Sequence, residues 1–66
     1  MANTITRTDL DFWTQELQTT TNELAAVRAD EEMAGSLYEA YVAMSVTVAN
    51  NEVRRLNGLH REYKLV

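Results

Sequence analysis

Sixty-six residues without cysteine allow one domain, close the disulfide route to stability and remove thiolate metal sites and thiol chemistry. A chain this short buries only about 60% of the surface its unfolded form exposes, so partner chains become the natural source of extra stability. The net charge of −4 is uneven: residues 1–39 carry −6 and residues 40–66 carry +2, a balance that argues against a nucleic-acid binder.

Residues 1–8 contain Asn3-Thr4-Ile5-Thr6-Arg7-Thr8, which reads as a short arm, extended or strand-like. The N-terminal stretch lacks the apolar run of a signal peptide. Thr8 is the expected N-cap of a first helix, with Asp11 as a capping-box partner.

That helix is expected over about residues 9–34. Leu10, Trp13, Leu17, Thr20, Leu24 and Val27 recur at steps of three and four and fall on one narrow face. Thr19-Thr20-Thr21-Asn22 is a poor helix-forming run that tertiary contacts must hold. Asp30-Glu31-Glu32 lacks the spacing of a calcium loop and reads as a solvated face.

Gly35 is the expected left-handed end of the first helix, with Asp30 as an alternative break. Ser36 and Glu39 form S-x-x-E, the start signal of a second helix expected over about residues 36–57. This helix carries two apolar stripes. Tyr38, Val42, Val46, Ala49, Val53 and Leu56 form one, extendable to His60 and Tyr63. Leu37, Tyr41, Met44 and Val48 form the other, about 100° round the cylinder, with Met33 as a possible extension. Asn51 and Arg55 follow in the second stripe's register and end it. Asn57-Gly58 marks the expected helix end, leaving residues 58–66 as a basic-apolar tail.

The fold class expected is all-α: an antiparallel hairpin of two long helices, spanning residues 1–66 as one domain. A turn centred on Gly35 sets Leu17 opposite Val53, Leu24 opposite Val46 and Thr20 opposite Asn50, and brings Asp9 and Asp11 near Arg61. Oligomerisation or docking on a partner would complete a helical bundle.

The arm Thr4–Thr8 and the Gly35-Ser36 turn loosely resemble ribbon-helix-helix repressors, which implies a DNA-reading strand pair. The first helix is more than twice as long as that fold uses, and the arm carries a single positive charge, so the resemblance does not set the expectation.

Enzymatic parts are not evident. His60 is the lone histidine and has no Glu-x-x-His partner, Ser36 and Ser45 lack a nearby base, and no phosphate-binding glycine loop is present. No catalytic residue, metal or cofactor is expected, nor a membrane or small-molecule ligand. The functional expectation is a non-enzymatic, cytoplasmic interaction module, or part of a complex assembled there. It would act as an assembly or adaptor subunit. Its partner-binding residues would be Leu37, Tyr41, Met44 and Val48, and its partners a second copy, a larger protein or both. The alternative is a small acidic inhibitor, of the kind found in phages, that mimics nucleic acid and blocks a partner's nucleic-acid-binding surface.

Overall fold

The computed structural model describes residues 7–64. The described residues form two helices: α1, Arg7–Ala29, and α2, Leu37–Tyr63. They pack against each other as a hairpin 46 Å long and 19 Å by 15 Å across.

The stripe on α1 is the face that packs. Leu10, Leu24 and Val27 are buried, and Trp13, Leu17 and Thr20 are half-buried. From α2 come the buried residues Val42, Ala49 and Leu56, with Val46, Val53 and His60 half-buried beside them. Leu24, Val27 and Val42 form the packed centre near the closed end, where Met33, Ala43 and Val46 rest on it. Met33 therefore belongs to the core and does not extend the second stripe.

Within the threonine-rich run, Thr20 lies half-buried on the packed face and its hydroxyl folds back onto the helix. Thr20 Oγ1 donates to the Glu16 carbonyl at 2.8 Å, as Thr14 Oγ1 does to Leu10. Such back-bonding satisfies the hydroxyl without drawing the backbone out of the helix.

The connection uses both breaks read from the sequence. α1 ends at Ala29, five residues short of the expected end, because Asp30 competes for the backbone. Its Oδ1 accepts from the Glu32 N–H at 2.9 Å, and its carbonyl accepts from Met33 at 3.1 Å and Ala34 at 2.8 Å. Residues 30–34 thus make one isolated helical turn. Gly35 closes it in the left-handed region, at φ 79°, where a β-carbon is disfavoured.

Ser36 then caps α2, its Oγ accepting from Glu39 N–H at 3.2 Å. Glu39 reaches back one residue further than in the usual capping box and accepts from the Gly35 N–H at 2.8 Å. Its other oxygen lies 3.7 Å from Arg28 Nε. One carboxylate therefore ties the turn, the start of α2 and the end of α1 together.

Two further boundary expectations are corrected. Arg7 and Thr8 lie inside α1, so Thr8 is not its N-cap, and Asp11 sits 3.8 Å from Arg7 as an i,i+4 ion pair. The rest of the expected arm, residues 1–6, lies outside the described residues. α2 does not stop at Asn57-Gly58 but runs through Gly58 to Tyr63. Leu59 and His60 are half-buried there, and their packing outweighs the cost of about 1 kcal/mol for an internal glycine. The end comes at Lys64, which is left-handed (φ 53°) and donates its N–H to the His60 carbonyl at 2.7 Å.

The register also shifts with the early end of α1. Arg28 meets Glu39 and Glu23 meets Tyr38, nearer the turn than a seam centred on Gly35 would place them. Thr20 shares a groove with Ser45 and Ala49, not with the exposed Asn50.

Candidate protein-docking face

Among the described residues nothing covers the second stripe of α2. Leu37 is 90% exposed, Tyr41 and Met44 66%, and Val48 50%. Rotation along one helix explains the contrast with the covered stripe: about 100° separates the two faces, and α1 can cover only one of them. The four residues expected at a partner surface are thus brought onto one outward face.

That face forms one side of an open groove of about 470 Å³ between the helices. Tyr41, Met44, Ser45 and Val48 line it from α2, and Trp13, Glu16, Thr20 and Glu23 from α1. The α1 wall was not legible as a site. Trp13 lies on the stripe that packs, yet it is half-buried and also lines the groove. An indole is larger than one facing helix can cover, which was the available signal. Phe12, 55% exposed, stands edge-on to Trp13 with ring centres 5.3 Å apart. It adds apolar surface toward the open end of the hairpin.

Tyr38 stands at the border between the two stripes. Its hydroxyl donates to Glu23 Oε1 across the helix pair, and its ring lies 6.3 Å from that of Tyr41. The hydrogen bond to the Glu23 carboxylate, aided by desolvation and by nearby charge, raises the Tyr38 phenol above its ordinary range. Farther along α2, Arg55 donates to both Glu52 oxygens, at 2.8 Å and 3.4 Å. Those bonds hold the Glu52 carboxyl below its usual range.

The acidic residues do not form an uninterrupted array. Asp11 is engaged by Arg7, Glu39 by Arg28 and Glu23 by Tyr38. Asp30, Glu31 and Glu32 are exposed at the closed end. Among the described residues no group of three or more potential ligands is placed to hold a metal ion, and no helix is long and apolar enough to cross a membrane. His60 is half-buried, and among the described residues its Nδ1 finds no hydrogen-bond partner.

Compared with known families, curated proteins and solved structures, the chain matches no family model, no curated relative and no solved structure.

Proposed function

We propose that the protein is a non-enzymatic interaction module, an assembly or adaptor subunit whose working surface is the apolar face of α2. One observation carries this reading: Leu37, Tyr41, Met44 and Val48 stand uncovered on one face, beside a groove whose opposite wall offers Trp13. Soluble chains seldom leave a contiguous apolar patch exposed unless something docks there. Tyrosine and methionine are also enriched at such contacts. The cysteine-free composition suits a reducing cytoplasm as the place of action.

The acidic-inhibitor reading has less support, because Arg7, Arg28 and Tyr38 already engage three of the carboxylates it would use.

The test is a photo-crosslinking side chain placed at Met44, with Gln18, exposed on α1 and off the seam, as the control position. In an extract of the native host, covalent adducts to protein are expected from position 44 and not from 18. Adding Tyr41→Glu to the same chain should sharply reduce the yield, since desolvating a carboxylate in an apolar contact is costly. Absence of any adduct at 44 from a chain that circular dichroism shows to be helical would overturn the reading. Adduct formation that survives Tyr41→Glu but is lost in high salt would transfer it to charge-driven binding.

A further inference from the structure

We infer that the α2 face takes a second copy of this chain, with the two α2 helices antiparallel about a two-fold axis passing between Tyr41 and Met44. The inference rests on the docking reading above and adds the occupant and its geometry.

The spacing of the stripe is the first argument. Leu37 to Tyr41 is four residues, Tyr41 to Met44 is three, and Met44 to Val48 is four. The series reads the same from either end. In a two-fold interface, if residue i meets residue j, then j meets i. Two antiparallel α2 helices aligned on the stripe's midpoint set Tyr41 against Met44 and Leu37 against Val48 of the second copy. Every apolar residue of the stripe then covers another, and none is left over.

The charges flanking the stripe are the second, independent argument. Past Val48 the next basic residue in the stripe's register is Arg55, seven residues on, or about 10 Å along the axis. Before Leu37 lies the closed end of the hairpin, where Asp30, Glu31 and Glu32 are exposed. The antiparallel alignment brings the exposed Arg54 of each copy, with Arg55 held beside it by Glu52, to the acidic turn of the other. A parallel alignment would set acidic turn against acidic turn and arginines against arginines, and like charges so placed are repulsive. An apolar stripe with opposite charges at its two ends is complementary to itself reversed.

The α1 wall agrees with this arrangement. Trp13 lines the groove toward the open end, on the side of Val48. Leu37 of the second copy arrives at that level, so the most exposed apolar residue of one hairpin meets the half-covered indole of the other. The product is a four-helix dimer in which each groove holds the partner's α2.

The absence of cysteine makes the geometry directly readable. Sedimentation equilibrium of the unaltered chain should give twice the 7.5 kDa chain mass, dissociating on dilution. Leu37→Cys and Val48→Cys chains are then mixed and oxidised; both positions are at least half exposed, so the fold tolerates them. The mixed disulfide should dominate, and either chain alone should remain largely uncrosslinked. Self-crosslinking of each chain, with little mixed product, would mean a parallel pair and overturn the inference. So would a dimer that yields neither product, or a trimer or larger species. A chain that stays monomeric also overturns it, and the adducts at Met44 then decide the wider reading. Adducts to a different protein keep the docking face and remove only the self-pairing, whereas no adducts remove both.

Discussion

The two apolar stripes of α2 lie on one helix, a little over a quarter turn apart, and meet opposite fates. On the covered stripe Val42, Ala49 and Leu56 are at most 2% exposed, while on the other no residue is less than 50% exposed. From Val42 to Leu56 the covered stripe is made of small and medium aliphatic side chains, Val, Val, Ala, Val and Leu. The uncovered stripe carries the larger and more adaptable Tyr41 and Met44. A single partner helix cannot satisfy both. The hairpin supplies an internal partner for one stripe and leaves the other exposed.

The largest expected effects test whether that contrast is energetic as well as geometric. Leu56→Ala and Leu24→Ala each remove a buried side chain from the seam and should cost roughly 2–5 kcal/mol, enough to unfold so small a domain. Met44→Ala, measured by urea unfolding at a concentration too low for association, should stay within about 0.5 kcal/mol of the parent chain. Equal losses from Leu56→Ala and Met44→Ala in the dilute chain would erase the distinction between the faces.

A smaller pair of effects sharpens how far the covered stripe extends. The two glycines play opposite parts. Gly35 sits at φ 79°, where a side chain is strained, and Gly35→Ala should cost about 1–2 kcal/mol. Gly58 lies within α2 with nothing within 4 Å of where a β-carbon would stand. Gly58→Ala should therefore stabilise the hairpin by about 1 kcal/mol, read from the thermal midpoint. A loss of stability from Gly58→Ala would return the helix end to Asn57-Gly58 and take Leu59 and His60 out of the seam.

The stripes themselves were legible because burial of a helix face leaves a three-and-four spacing in the sequence. Leu10 to Val27 and Val42 to Leu56 carried that spacing without interruption, and so did the residues left outside. The helix ends were not legible in the same way. Asp30 could continue a helix or bond to its own turn, and composition alone does not separate the two; in the fold it bonds Glu32, Met33 and Ala34. Asn57-Gly58 has the composition of a stop, but Leu59 and His60 beyond it find cover on the hairpin and keep the helix going. The α1 wall of the groove was hidden for a third reason. Glu16 and Glu23 have the character of solvated residues, and only the helix crossing places them beside Tyr41 and Met44.

The smallest expected effect concerns Tyr38, at the border between the faces. Its hydroxyl is bonded to the Glu23 carboxylate, which favours the protonated phenol and raises its pKa in the folded chain above the ordinary 10.0. The sign follows from linkage. Because the folded value is the higher one, the contribution to stability is fully present below the unfolded pKa and is lost as pH rises through the folded value. The bond is solvent-exposed, so its effect on stability near neutral pH is small, and the titration itself is the better readout. An ultraviolet absorbance titration of the three tyrosines should show one phenol falling back toward 10 in Glu23→Gln, and the same component disappearing in Tyr38→Phe. An unchanged titration in Glu23→Gln would mean that no bond joins α1 to α2 at this border. Tyr38 would then be able to turn with Tyr41 into the docking face, and the boundary between covered and uncovered surface would lie one turn nearer the core than Glu23 now sets it.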